Sequence, residues 1–363
     1  MLAPQRTLLR TAPLALLLLA GAAHAQSFTQ RTLSGVANNN RDLFPADVDG
    51  DGDTDLVSTS STGQVRWYEN DGAIPPSFTR EGVVSGLDDV IQCFAADMDN
   101  DGDTDLLSVD ITRGELRLHT NDGSQNFTDT VLYNSASTLS SVFAADMDGD
   151  GDADVVCCSP GENRVLWFEN AEGTYQLRAV DANAQGAFNA SAIDMDGDGD
   201  IDIVAGLKDA GTLVWYENNG TQQFTPRVIA SNMPSINRVF TVDLDGDGTI
   251  EVLTADSSDG TVRLHTSADG VNFVDSVIYD IGDNATNLFV GDINREGSLD
   301  VAVTGPDSLR VVWLRSDGGT AFTRFEIDTF AQGAEDVVIA DFDNDGDADI
   351  AVGIVEPFGN MIR

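Results

Sequence analysis

Short apolar runs of strand length recur along this chain, and polar turn residues separate them. Runs such as Ser141-Val142-Phe143-Ala144-Ala145 and Asp154-Val155-Val156 are too short for a helix. Others alternate with period two, as in Val65-Arg66-Trp67-Tyr68-Glu69-Asn70. Asn-Gly and Asp-Gly turns stand between them, and a further run opens with Phe-Thr, as at Phe78-Thr79-Arg80 and Phe224-Thr225-Pro226. The pattern predicts strands throughout.

These runs come in a fixed order around an acidic nonapeptide, which starts at Asp47, Asp97, Asp146, Asp194, Asp243, Asp292 and Asp341. The period is about 49 residues, with four short strands per unit, and this is the signature of a propeller blade. The expected fold is therefore all-β: a seven-bladed β-propeller with four-stranded antiparallel blades. Residues 27–33 read as a fourth strand with no unit before it, and the last unit stops within its third strand, near Met361-Ile362-Arg363. The N-terminal strand is thus expected to complete the seventh blade and close the ring. A chain that continues further also fits that ending.

The first nonapeptide, Asp47-Val48-Asp49-Gly50-Asp51-Gly52-Asp53-Thr54-Asp55, puts carboxylates at positions 1, 3, 5 and 9 and glycine at position 6. Clustered hard oxygen donors suit Ca²⁺, and no Cys/His cluster is present for zinc or copper. An EF-hand would need a glutamate at position 12, where Ser58, Ser108 and Cys157 stand, and it would need flanking helices. Nonapeptide repeats in tandem would recur every nine residues, which these do not. The seven loops hold about half of the chain's 61 acidic residues, against 19 basic ones and a formal charge of −42. Without a counter-ion such a chain repels itself when compact, and it repels nucleic acid and anionic membranes.

With this loop and spacing the sequence resembles the FG-GAP/VCBS repeat family, whose members form integrin-α-like β-propellers with calcium loops. The resemblance implies ligation by the side chains at positions 1, 3, 5 and 9 and by the carbonyl of position 7. Carried over, site 1 is Asp47, Asp49, Asp51, Asp53 and Asp55, and site 2 is Asp97, Asp99, Asp101, Asp103 and Asp105. Site 3 is Asp146, Asp148, Asp150, Asp152 and Asp154, and site 4 is Asp194, Asp196, Asp198, Asp200 and Asp202. Site 5 is Asp243, Asp245, Asp247, Thr249 and Glu251, and site 7 is Asp341, Asp343, Asp345, Asp347 and Asp349. Site 6 departs most, with Asp292, Asn294, Glu296, Ser298 and Asp300, and with Arg295 at position 4. Up to seven Ca²⁺ are expected, with the site at Asp292 the weakest. The Phe-Gly…Gly-Ala-Pro stretch that names the family is absent, which places the chain nearer the VCBS-like branch.

Residues 1–25 read as a signal peptide: Arg6 and Arg10, an apolar run from Ala12 to Ala22 broken only by Pro13, and Ala23-His24-Ala25 before the cleavage point. The propeller is then expected over 26–363, exported and without a membrane-spanning segment. Cys93, Cys157 and Cys158 read as buried apolar residues. His119 and His265 occupy one repeat position, aligned with Tyr68, Phe168 and Tyr216, and so read as blade packing. Trp67, Trp167, Trp215 and Trp313 are likewise equivalent and read as space-fillers between blades. No nucleophile elbow, phosphate loop or H-E-x-x-H motif is present. The expected function is a binding or adhesion module for an extracellular protein or glycan, with calcium structural. A carbohydrate-active enzyme, or an accessory domain of one, is the alternative. The metal loops all join the first and second strands and are nearly alike, whereas the loops on the opposite face, such as 206–211 and 231–237, vary. The partner is expected on that opposite face.

Overall fold

The computed structural model describes residues 14–20, 27–34, 39–233, 235–282, 284–305, 310–328 and 333–354. They form antiparallel strands, numbered β1–β28 in chain order. Strands β3–β26 fall into six sheets of four consecutive strands, over residues 40–85, 90–134, 141–181, 187–231, 236–280 and 287–328. The first strands of successive sheets lie side by side around an axis.

The expectation of seven blades is corrected: six blades are built from consecutive strands, not seven. The four remaining strands form one composite sheet in the order β2 (Ser27–Ser34), β1 (Leu14–Ala20), β28 (Asp349–Ile354), β27 (Ala334–Ala340). It lies between blade 6 and blade 1, where it closes the ring. The expected third strand near Met361 lies outside the described residues. Its slot is taken by β1, which pairs with β28 from Leu14↔Gly353 to Leu17↔Ile350 and with β2 on its other edge. Leu-Ala-Leu-Leu-Leu-Leu-Ala has no proline and so can pair along both edges. The sequence after Ile354 instead runs Val-Glu-Pro-Phe-Gly, with a proline that cannot donate to a ladder. The segment read as the core of a leader is thus strand β1 of the full-length chain.

Burial is greatest in the second strand of each blade, is partial in the first strand at the axis and is least in the outer fourth strand. The second strand of each blade is buried at every position, as in Asp55–Ser60 and Asp154–Ser159. The fourth strand is mostly exposed, as in Phe78–Ser85 and Phe127–Asn134. The core is a series of layers between blades: Val57, Val65 and Trp67 of blade 1 pack on Val90, Cys93 and Leu106 of blade 2. Val156 and Trp167 of blade 3 meet Ile203 and Tyr216 of blade 4 in the same way. The four tryptophans are 1–4% exposed and the three cysteines are buried and unpaired, as their repeat positions imply.

The first strand of a blade is a sheet edge, so half of its N–H groups have no ladder partner. In four seams a polar residue five positions before the loop supplies such a partner from blade to blade. Asp42 accepts the N–H of Cys93 (3.0 Å), Gln92 that of Val142 (3.0 Å) and Asn189 that of Val239 (2.9 Å). In the composite sheet Asp336 accepts from Leu43 of blade 1 and from the Asn287 amide of blade 6. Blade 5 has Arg238 at this position, which cannot accept, and Leu288 N–H turns to the carbonyl of its neighbour Asn287's side chain instead (2.7 Å). Two positions further on, Phe44, Phe94 and Phe143 stack in sequence with centroids 4.7 and 4.6 Å apart.

Asp336 is the most committed member of this girdle because it joins the composite sheet to both neighbours. Asp336→Ala leaves three buried donors unpaired, the N–H groups of Leu43 and Val337 and the Asn287 amide, and Gln92→Ala leaves one, at about 1–3 kcal/mol per donor. Urea unfolding is expected to rank Asp336→Ala as the more destabilised; equal losses would remove Asp336 from this role.

Candidate metal loops

Each acidic loop connects the first strand of a blade to the second and is shaped by its own carboxylates. In loop 1 Asp47 accepts the N–H groups of Gly50 (2.8 Å) and Gly52 (3.0 Å), one on each oxygen. Asp49 accepts from Asp51 (3.2 Å) and Asp51 from Asp53 (2.9 Å), so the chain winds around a line of oxygens. Positions 4 and 6 are left-handed, with φ of 75° and 95° at Gly50 and Gly52, which is why glycine recurs there. The same bonds recur in loops 3, 4 and 5.

Position 9 begins the second strand and is buried. Asp55 accepts from Val48 N (3.0 Å), from Asn70 N (2.7 Å) and from the Trp67 indole (2.9 Å). Burial pushes this carboxyl up to about 6, and does the same to Asp105, Asp154, Asp202 and Asp300. Burial, reinforced by the neighbouring carboxylates, also raises position 3 at Asp49, Asp99, Asp148, Asp196 and Asp343.

Carboxylate oxygens of Asp47, Asp49 and Asp55 converge within 4.8 Å of one another, as do those of Asp146, Asp148 and Asp154 and of Asp194, Asp196 and Asp202. Asp243, Asp245 and Glu251 form the same triplet, and loop 2 brings together Asp97, Asp99 and Asp101. In loop 7 the Oδ1 of Asp341 is buried without a hydrogen-bond partner. Converging hard oxygens that repel one another fit a bound Ca²⁺, which would supply a compensating charge. Positions 1, 3 and 9 thus meet in four loops. In loops 1, 3, 4 and 5 the position-5 carboxylates Asp51, Asp150, Asp198 and Asp247 lie outside the triplets and accept the N–H of position 7.

Position 7 has a use that its proposed carbonyl role does not reveal. Its side chain turns outward to the hairpin between the third and fourth strands, where Asp152 accepts the N–H of Glu172 (3.0 Å). It also receives position 4 of the preceding blade: Asn100 donates to Asp152 (2.7 Å) and Asn344 to Asp53. Arg295 likewise reaches Asp347 of loop 7 (2.9 Å) and not the acids of its own loop. A second set of ties comes from the asparagine that ends the third strand. Asn70 donates to Thr54 O of its own loop (2.9 Å) and to Phe342 O of the previous one (2.7 Å). Asn121, Asn170 and Asn218 do the same, whereas Ser267 and Ser316 stand in blades 5 and 6. The recurrent Asn at the end of the third run was the sequence signal for this, and in the sequence it reads only as part of the alternating strand.

His119 joins Ser108 (Oγ–Nε2 2.8 Å) and Asp129 (Nδ1–Oδ1 3.2 Å) in a Ser–His–Asp line. Ser108 and His119 are fully buried, and blade 5 repeats the contact with Thr254 and His265 (3.0 Å), so both histidines act as packing residues. Hydrogen bonding from His119 holds the Asp129 carboxyl down at about 2, and burial lowers His265 to about 4.

The raised position-9 carboxyls set the sign of the pH dependence. A folded-state value of about 6, above the ordinary value near 4, gives stability that is present at low pH and lost as pH rises through 6. His265, lowered to about 4, acts oppositely between about pH 4 and 6.5, but it is one group against five aspartates. In chelator the melting temperature is therefore expected to fall from pH 5 to pH 7, and added Ca²⁺ at pH 7 is expected to restore it. A metal-free protein that is most stable at pH 7, or that does not respond to Ca²⁺, would contradict this assignment.

The fold is shared with solved propellers of low identity. A lectin from Agrocybe aegerita, described as recognising non-reducing terminal N-acetylglucosamine, is similar at a TM-score of 0.63 and 19% identity, over 88% of this chain and 91% of that one. A protein from Lactobacillus plantarum is similar at 0.61 and 13% identity, over 87% and 96%. A putative 6-phosphogluconolactonase from Bacteroides fragilis is similar at 0.60 and 11% identity, over 88% and 96%. No curated protein sequence matches the chain. The FG-GAP-like repeat model matches six segments, 47–108, 97–157, 146–205, 194–254, 243–303 and 297–352. Six matches agree with six blades of consecutive strands, and with this coverage the chain belongs to the family of FG-GAP-like repeats.

Proposed function

We propose that this chain is an exported, calcium-stabilised β-propeller that serves as a binding or adhesion module for an extracellular protein or glycan. The observation that carries the reading is the convergence of carboxylates in equivalent loops on one face of the ring. Calcium there holds the scaffold and leaves the opposite face free for recognition. Among the described residues no helix is long and apolar enough to cross a membrane. The fold is shared with a lectin, and recognition of a terminal sugar is a property of that protein which a glycan ligand here would parallel.

Features of the face away from the metal loops fit a rigid docking platform. Short hairpins between the second and third strands are gripped by the connection to the next blade: Gly63 O accepts from Leu87 (3.1 Å), Gly114 O from Ser135 (2.8 Å) and Gly211 O from Met233 (3.0 Å). Lys208 reaches Asn237 (3.0 Å) and lies 4.2 Å from the centre of the Phe188 ring, linking the variable loops of blades 4 and 5. Varied side chains on fixed backbone suit specific recognition.

Glycan and matrix-protein arrays probed with and without EDTA test this reading. Binding without turnover, reduced by chelation, is the expected result, and turnover of a polysaccharide would favour the enzyme instead. Gly/Ser replacement of Lys208, Asp209, Ala210, Ser231 and Asn232, which spares the buried Leu207, Met233 and Ile236, is expected to abolish binding while the calcium-dependent melting is retained. Val48 and Met195, expected from the sequence to be exposed on the metal face, are buried. Loss of binding on altering the exposed Ile74 or Val271 of the hairpins on that face, with the replacements silent, would reverse the assignment of faces.

Export carries its own check. Cleavage after Ala25 would remove β1 and vacate the slot between β2 and β28. N-terminal sequencing of the exported protein is expected to begin at Gln26; a mature protein that retains Leu14–Ala20 would make this segment a permanent strand.

A further inference from the structure

Arg295 is the one basic residue in any of the seven nonapeptides. It stands at position 4 of loop 6, where loops 1, 3, 4 and 5 have Gly50, Gly149, Gly197 and Gly246 and loops 2 and 7 have Asn100 and Asn344. Its backbone is left-handed like theirs (φ 58°), which directs the side chain out of its own loop. The guanidinium lands on loop 7, where Nε donates to the carbonyl of Gly346 and lies 2.9 Å from the Asp347 carboxylate. Nη2 donates to the carbonyl of Asp345 (2.5 Å). A Cβ at position 346 would overlap Nη2, so the arginine fills the space that this glycine leaves.

We propose that Arg295 is a fixed cation of loop 7: it clasps blade 6 to the composite sheet without metal and lowers the calcium affinity of the loop at Asp341, not that of its own loop at Asp292. The proposal rests on the reading of these loops as calcium sites. It follows from where the charge sits. The guanidinium is docked on positions 5, 6 and 7 of loop 7, beside the acids that would hold a dication there, and like charges at this range repel. It also engages Asp347 and two loop carbonyls through directed bonds, so the seam keeps its polar contacts when no ion is present. Loop 6 is poorer than the others through its own donors, since Asn294 replaces the aspartate of position 3. Arg295 and Asp347 are partly exposed, with side chains 46% and 17% accessible, so salt weakens both effects.

The test uses the full chain and four variants: Arg295→Gly, the residue common at this position, Arg295→Gln, and Arg295→Gly combined with Asp341→Asn or with Asp292→Asn. Calcium binding is read by isothermal titration and native mass spectrometry, and stability by thermal melting in EDTA. Arg295→Gly is expected to tighten one site on the order of tenfold. The gain disappears with Asp341→Asn and persists with Asp292→Asn. In EDTA, Arg295→Gly melts below the parent, and Arg295→Gln, which keeps part of the hydrogen bonding without the charge, melts between them and also binds tighter. A gain that follows Asp292→Asn, or no gain in either Arg295 variant while the other loops still bind, overturns the proposal. If no loop binds calcium, the calcium reading itself fails, and the metal-free melting still decides the clasp: unchanged stability of Arg295→Gly removes it. Should Arg295→Gly not fold, Arg295→Gln decides both points.

Discussion

At the start of each second strand a carboxylate sits below the reach of solvent and accepts backbone N–H groups from two places: the second residue of its own loop and, in most blades, the last residue of the third strand. The loop, the inner hairpin and the next hairpin are thereby fixed by one side chain. Burying it costs desolvation, which is why its carboxyl rises to about 6. The remaining acids of the loop curl over it through turns of their own, and their oxygens converge on it. A dication is the natural compensation for such a site. The contacts that fix the blades are also the contacts that shape the acidic loop.

The sheets need lateral joining as well, because no sheet ladder runs between blades. Three sets of polar contacts do this at different heights. In blades 1 to 4 the asparagines at the end of the third strand join the loop to the one before it. The acceptors on the first strands cap the exposed N–H groups of the next blade. Position 4 reaches position 7 across the loop face in three seams. Two of these three seams flank the composite sheet, and Asp336 also serves both of its sides. A sheet assembled from the two ends of the chain has no covalent turn to hold its halves together, so it gains most from such ties.

Much of this was legible in the sequence because it is local. The acidic loops, strand order and packing role of Trp67, Trp167, Trp215 and Trp313 repeat with the period, and each follows from residues a few positions apart. The closing sheet was not legible in the same way. Both Leu14–Ala20 and the residues after Ile354 were available for one slot, and the choice depends on pairing across the whole chain. The apolar run that suits export is also free of proline, so it can pair along both edges of a strand. Arg295 illustrates a second limit. Its spacing assigns it to loop 6, but the left-handed backbone there sends the side chain to loop 7, and only the structure reveals whose charge it alters.

Sequence similarity among the loops and diversity among the opposite connections then have a common physical origin. Positions 1, 3 and 9 leave little room for variation, because their side chains shape the turn and converge with one another. Position 4 escapes that constraint: it needs only a left-handed backbone, and Gly, Asn and Arg all meet it. Variation on the metal face is therefore channelled into how neighbouring loops touch, as the Asn100, Arg295 and Asn344 contacts illustrate. On the other face the constraint is carried by backbone, through bonds such as Leu87 N to Gly63 O, and the side chains are released. Where backbone holds the shape, sequence is free to encode a partner. Where side chains hold it, sequence is committed to the fold.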